Sequence, residues 1–375
     1  MLRYQAFLKG CKLFLTERRA MRPFIYDAAS YDVYIGNDVD KRSYVLNIRD
    51  KYHQLMTKTI PANPEQLYNF TKRQFPNNRV VIGYEAGPTG FGLYDYLITH
   101  HLPCIVISPA SIPKPSNQRV KTNRIDARLI SSMLAEGDFK PVRVPEGPYR
   151  ELRNLVQVRE NYARHQRTAK QRIKSLLLYV GLHNTCRESD QRWSNRYLQH
   201  LRTIEATPAT RFRLDRLLED LDYARHQLLK VTRQLRLFCQ TNEDIKTHIH
   251  NLRTIPGIGL VTSVTLLARI GDPQNLKSLR ELSSFCGIVP KENSSGDNVH
   301  RGSITGSGNG ILRALLVEAA WRAIRSDKEL EQFFHRIASR HPASYGKQKA
   351  IVAVAHKLTL RVYRVLVERR EYLIH

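Results

Sequence analysis

Three carboxylates are placed where they could share a metal ion. Asp38 lies near the end of an apolar run, Asp32–Asp40 (DVYIGNDVD). Glu85 directly follows a second run, Arg79–Tyr84 (RVVIGY), and opens Glu85-Ala-Gly-Pro-Thr-Gly-Phe-Gly. Asp126 lies near the start of a helical stretch, Arg124–Leu134 (RIDARLISSML). Converging carboxylates are costly unless a divalent cation neutralises them. Hard oxygen ligands select Mg²⁺ or Mn²⁺, which usually also contact substrate phosphates. One or two such ions activate an oxygen nucleophile and stabilise the leaving oxygen of a phosphodiester. Each acid alone reads more simply as a cap or surface residue. The signal lies in the three together.

Two further constellations bear on the same chemistry. In Leu252-Arg-Thr-Ile-Pro-Gly-Ile-Gly-Leu-Val-Thr-Ser-Val, Pro256-Gly257-Ile258-Gly259 separates two apolar helical stretches. This reads as a helix–hairpin–helix element, whose glycines let the backbone approach a DNA phosphate while the next helix offers free N–H groups. A plain Gly turn is the simpler alternative, and such contacts position DNA without reading its sequence. Farther on, Gly287-Ile-Val-Pro-Lys-Glu-Asn-Ser-Ser-Gly296 precedes Arg301-Gly-Ser-Ile-Thr-Gly-Ser-Gly-Asn309, Leu312 and Arg313. Ser294 and Ser295 in this Gly/Ser-rich loop could be loop composition alone. A serine nucleophile needs activation and cations for the phosphate oxygens. Arg301 and Arg313 supply charge, no local base is evident, and the carboxylate–metal site is the available activator.

The elements that must position these residues are legible. Asp32–Asp40, Ser43–Arg49 and His53–Ile60 read as three short strands separated by polar turns. Pro64–Phe75 is helical with Pro in its first turn, Arg79–Tyr84 is a strand, Phe91–His100 a helix and Pro103–Ser108 a buried strand. A meander followed by crossovers predicts a mixed sheet with helices on its faces, the order of the ribonuclease H-like fold. In that fold the first and fourth strands are neighbours, so Asp38 and Glu85 fall side by side. Tyr149–Leu178 is a long basic helix with Tyr162 in it and Tyr179 just beyond. Phe212–Phe238 carries Leu214, Leu217, Leu221, Leu228, Leu235 and Phe238 near a 3.5-residue spacing, the seam of a helical hairpin or coiled coil. An intramolecular core and a dimer seam both fit that stripe. The final third reads as helical apart from the interruption at Asn293–Gly310.

Charge and composition narrow the class. The 375 residues include 60 Lys+Arg against 34 Asp+Glu, a net +26, with 42% hydrophobic residues, enough for real cores. Residues 1–140, 141–250 and 251–375 each carry a net +8 or +9, so every part faces something anionic, most simply nucleic acid. A membrane surface would want a localised polybasic patch. No stretch approaches the ~20 apolar residues of a membrane span, and Lys9 and Lys12 interrupt the N-terminal apolar stripe, against a signal peptide. Five cysteines without a Cys-x-x-Cys argue for reduced thiols in a cytoplasmic protein, and against zinc or disulfides.

In IGNDVDK, YEAGPTGFGLYDYL, RVKTNRIDARL, the PGIG segment and FCGIVPKENSSG…RGSITGSGNGILRALLVEAAW, the chain resembles a family of DEDD transposases. These are the insertion-sequence transposases that include the pilin-gene-inverting recombinases, bridge-RNA-guided serine recombinases. The motifs cover most of residues 32–325 in family order. The resemblance implies an N-terminal extension (1–30), a RuvC-like α/β domain (31–147), a helical, coiled-coil linker (148–250) and a mainly α-helical transposase domain (251–375). Asp38, Glu85 and Asp126 match three of the four family acids; the fourth falls on Asn123, whose amide can ligate Mg²⁺ without the charge. Ser295, beside Gly296, best matches the nucleophile, with Ser294 as alternative. The resemblance further implies target and donor DNA, a structured guide (bridge) RNA, and dimers that assemble to a nucleoid-associated tetramer in a bacterial cytoplasm. Lys121, Arg124, Arg153, Arg164, Arg167, Lys170, Lys174, Gly257, Gly259, Arg301 and Arg313 are the candidate nucleic-acid contacts, a solvated basic face being the plain alternative for the helix. Two rival functions share these residues. One is a metal-dependent nuclease of the Holliday-junction-resolvase kind with water as nucleophile; the other is a non-enzymatic binder that has lost an acid at Asn123.

Overall fold

The computed structural model describes residues 26–113, 123–185, 193–295 and 298–373, with the side chains of 291–302 outside the description. The chain forms two compact units, divided between Val144 and Pro145.

The first unit is built on a five-stranded sheet in the order β3-β2-β1-β4-β5. Its strands are β1 (Val33–Val39), β2 (Ser43–Arg49), β3 (Gln54–Pro61), β4 (Val80–Glu85) and β5 (Cys104–Ile107). β1, β2 and β3 pair antiparallel, while β1, β4 and β5 run parallel. Alternation sorts the side chains to two faces. Val33, Ile35, Val80, Ile82, Tyr84, Cys104 and Val106 pack with Leu67 of α1 (Pro64–Gln74) and Leu93 and Leu97 of α2 (Gly92–Thr99). Tyr34, Val81, Ile105 and Ile107 pack on the other face, against Ile130, Met133 and Leu134 of α3 (Asn123–Glu136). At the strand starts, the Arg79 N–H and guanidinium hold the Asp32 carboxyl down at about 2 and tie the entry of β1 to β4.

The second unit is helical apart from one hairpin. α4 (Gly147–Tyr179) and α6 (Pro208–Thr241) pack antiparallel as a long pair. Their far end, with α5 (Asn195–Thr203), closes a small core of Ile173, Leu176, Leu177, Leu198, Leu201, Leu214, Leu218 and Leu221. Their near ends join a larger core with α7 (Glu243–Arg253), α8 (Leu260–Ile270), α9 (Leu279–Cys286), α10 (Gly310–Ala323), α11 (Lys328–Ala338) and α12 (Gly346–Glu368). Leu214, Leu221 and Leu235 of the 3.5-residue stripe are fully buried within this chain. A buried ion pair ties α12 to the start of α11: Arg361 donates to Asp327 at 2.6 Å and to Glu329 at 3.0 Å.

Part of the Gly/Ser-rich interruption is a hairpin and not the loop that its composition suggests. Pro290–Ser295 and Asn298–Ile304 pair as an antiparallel hairpin, β6 and β7. Cross-strand hydrogen bonding stabilises the segment despite its low strand propensity.

Candidate active site

Two glycines set the distance between sheet and helix. A Cβ at Gly36 would lie 2.1 Å from the Ala127 carbonyl oxygen and 2.4 Å from the Ser131 nitrogen, so the backbone of α3 rests directly on β1. At Gly83 a Cβ would meet only the end of the Leu134 side chain, at 2.8 Å. Gly in a strand interior often marks such a close approach. Gly36→Ala is therefore expected to destabilise this unit by about 1–3 kcal/mol or more, and Gly83→Ala by less, because Leu134 can rotate away. Urea denaturation of the two variants checks the order. Polar contacts fix the helix laterally: Ser131 Oγ donates to Asn47 Oδ1 at 2.7 Å, and Arg49 donates to Ser132 Oγ at 2.5 Å.

The acids stand at the end of this contact. Parallel register pairs Gly36 with Gly83 and Asn37 with Tyr84. The next residues on the two strands are Asp38 and Glu85, and the pleat directs both to the α3 face. Asp38 is half-buried and Glu85 exposed. Asp126 lies in the first turn of α3, half-buried, with Asn123 and Arg124 exposed beside it. Its neighbour Ala127 is the residue resting on Gly36, two positions before Asp38. Among the described residues, no three His, Cys, Asp or Glu side chains close around one point. Two carboxylates adjacent on one sheet face are nevertheless donors of the kind a hard divalent cation takes. Such an ion is commonly held by one or two carboxylates, with waters and substrate phosphates completing its shell. Lys121 lies outside the described residues.

Asn37 escaped the sequence reading. It is fully buried on the opposite face of the sheet from Asp38, and neither side-chain amide atom has a hydrogen-bond partner. A polar residue directly before an acid at a strand end was the only available signal.

The serine segment is positioned from below. Register pairs Ser295 with Asn298 and Ser294 with Val299, placing both serines at the tip of the β6–β7 hairpin. Its base is clamped by glycines: at Gly287 (φ +69°) a Cβ would lie 2.1 Å from the Ser307 carbonyl oxygen. Arg313 donates to the carbonyls of Gly287 and Gly306, each at 3.4 Å, and so braces the hairpin base. The Arg301 side chain lies outside the description.

In the PGIG turn the glycines differ. Gly257 has φ +83°, and a Cβ there would sit 2.3 Å from the Ala319 carbonyl oxygen of α10. That glycine serves internal packing. Gly259 caps α8 and has open space around its missing Cβ. Gly257→Ala is expected to lower the thermal midpoint by several degrees, whereas Gly259→Ser leaves it within about 2 °C. If the turn meets a phosphate backbone, Gly259→Ser alone weakens DNA binding without unfolding. Thermal melts and filter binding of the pair separate the two roles.

The basic residues of α4 are not equivalent. Arg164, Arg167 and Lys174 are exposed, whereas Arg153 is half-buried. The Lys170 ammonium lies 5.4 Å from the Trp193 ring centre, and burial lowers its pKa.

Comparison with known proteins places these sites in sequence families. Residues 35–181, which hold Asp38, Glu85 and Asp126, match a DEDD family model of IS110 elements described as "Transposase". Residues 249–335, which hold the PGIG turn and both serines, match "Transposase IS116/IS110/IS902 family". The chain belongs to the IS110 family of transposases. A putative transposase of Sinorhizobium fredii is 32% identical over 245 residues, spanning 64% of this chain and 58% of that protein. The transposase of insertion element IS1111A from Coxiella burnetii is 26% identical, covering 72% of this chain and 73% of its own length. A pilin gene-inverting protein of Moraxella bovis is also 26% identical, over 75% of this chain and 77% of that protein. IS110-family membership thus joins the strand-end acids and the serine hairpin in one protein. Among the described residues no helix is long and apolar enough to cross a membrane.

Proposed function

We propose that this IS110-family protein cuts and rejoins DNA strands through a phosphoserine intermediate, its strand choice delegated to a structured guide RNA. The observation that carries the reading is the parallel register that leaves Asp38 and Glu85 adjacent on the α3 face, within the segment matched to the DEDD transposase model. The strand order supports a ribonuclease H-like, RuvC-like domain over 31–147. The linker (148–250) and the transposase domain with its helix–hairpin–helix (251–375) complete the organisation.

In this reading Asp38, Glu85 and Asp126, with Asn123 assisting, hold Mg²⁺ or Mn²⁺. The ion supplies charge for the scissile phosphate and lowers the pKa of an oxygen nucleophile. Ser295 Oγ bonds to phosphorus as the bond from phosphorus to the 3′ oxygen breaks. The serine proton is lost to solvent and the departing 3′ oxygen takes one up. Attack by the 3′-hydroxyl of the exchanged strand reverses the step and restores the serine. The resemblance adds dimers that pair to a tetramer on two DNAs. Base pairing then reads sequence while the protein grips backbone, as in other RNA-guided systems.

Sequencing the nucleic acid that co-purifies with the protein tests the guide. One discrete small RNA is expected; a random spread of cellular RNA would argue for unguided binding. Mg²⁺-dependent cleavage without a covalent adduct would favour the resolvase-like nuclease instead.

A further inference from the structure

The apolar stripe that α4 turns inward stops and restarts. Tyr149, Leu152 and Val156 belong to the larger core, and Ala169, Ile173, Leu176 and Leu177 to the smaller one. The buried positions of α6 break in the same way, between Ala224 and Leu235. At this break α4 carries Arg159 and Glu160, and α8, packed alongside, brings Arg269. Arg269 donates to Glu160 Oε2 at 2.6 Å, with side chains only 16% and 14% exposed. Arg153, two turns earlier, lies within the field of both Arg269 and Glu160. One guanidinium therefore pairs with this carboxylate, and two more lie within its field.

Their pairing is incomplete. Arg159 Nε and Glu160 Oε1 are buried without a hydrogen-bond partner. Burial pulls the Arg153 and Arg159 pKa values down, and Arg269 adds to the effect on Arg153. The Glu160 carboxylate offsets part of that effect at both. Excess half-buried cations are costly without a counter-ion, and apolar residues here would simply continue the stripe. A second anion would balance the charge and accept from the idle Arg159 Nε–H. Guanidiniums suit phosphate oxygens in particular, through their planar fork of N–H donors.

We propose that Arg153, Arg159 and Arg269, braced by Glu160, form a built site for one backbone phosphate of a nucleic acid strand. The site deepens the nucleic-acid reading above and rests on it for the identity of its ligand. It lies beside α8, the helix that follows the PGIG turn, so a strand bound there would be fixed relative to that turn.

Arg159→Met removes the charge and keeps most of the aliphatic length. Filter binding of the wild-type and variant chains to duplex DNA and to structured RNA, over about 50–300 mM salt, reads the contact. For one of the two ligands the slope of log affinity against log salt should shrink by about 1. Affinity for that ligand should fall roughly tenfold at about 0.1 M salt. Without ligand, the thermal midpoint of Arg159→Met should equal or exceed that of the wild type, because an unbalanced charge has gone. Inorganic phosphate should raise the wild-type midpoint more than that of the variant. Unchanged salt slopes for both ligands would overturn the proposal. So would a lowered midpoint with an undiminished response to phosphate, which marks a structural role. If the wild type binds neither nucleic acid, the wider reading fails, and the phosphate response alone decides the site: an equal shift in both chains sinks it. Arg153→Gln, tested in the same way, covers the case in which Arg159→Met fails to fold.

Discussion

Ser295→Ala is expected to abolish strand exchange, by at least about 10⁴-fold, while leaving DNA and RNA binding intact. Loss of a covalent nucleophile removes the step itself, and residual catalysis would come only from binding and electrostatic stabilisation. The serine lies at the tip of a two-stranded hairpin, paired with Asn298. A fold unchanged in the variant would rule out unfolding as the cause of the loss. A recombination assay on paired donor and target DNA, read beside circular dichroism, measures both. Ser294→Ala serves as the internal control: it should retain most activity if Ser295 is the nucleophile, and the two variants would exchange phenotypes if the assignment is off by one residue.

Asp38→Asn and Glu85→Gln are expected to reduce strand cleavage by about 10²–10³-fold or more, with cleavage partly restored at high Mn²⁺. The strand-end position is the reason. Both residues lie one step beyond the last β1–β4 register pair, Asn37 with Tyr84, and neither belongs to the apolar cores on the two sheet faces, so neutral isosteres leave those cores as they are. A fall in melting temperature would instead show that the carboxylates serve the fold. Asn123 provides a gain-of-function counterpart. Asn123→Asp restores a fourth acid at the start of α3 and should lower the Mg²⁺ concentration needed for half-maximal cleavage. That position is exposed, so the added charge carries little desolvation penalty.

Much of this arrangement is readable from residue patterns because local physics determines it. The β-branched run RVVIGY and the meander before it specify strands, and the crossover helices between them leave few ways to order the sheet. Adjacency of Asp38 and Glu85 follows from that order. The helical pair is equally legible from the leucine spacing, whose buried members face α4 within the same chain. What patterns miss depends on non-local contact. Asn, Ser and Gly at 293–296 have turn chemistry, yet pairing with Asn298–Ile304 draws the serines into a hairpin. Gly257 looks like an opening for a phosphate, and only the approach of Ala319 shows that it is filled from within. Arg313 reads as a free cation until the carbonyls of Gly287 and Gly306 are seen around it. The cationic cluster around Glu160 requires α8 to be placed beside α4, which no local spacing reveals.

The central claim is that DNA becomes bonded to a serine of this chain. Trapping the reaction on a donor DNA, digesting the DNA and mapping the modified peptide by mass spectrometry tests it most directly. The account predicts one nucleotide phosphate on the peptide containing Ser295, absent when Mg²⁺ is withheld. Cleaved DNA with no modified peptide would contradict it and leave water as the nucleophile.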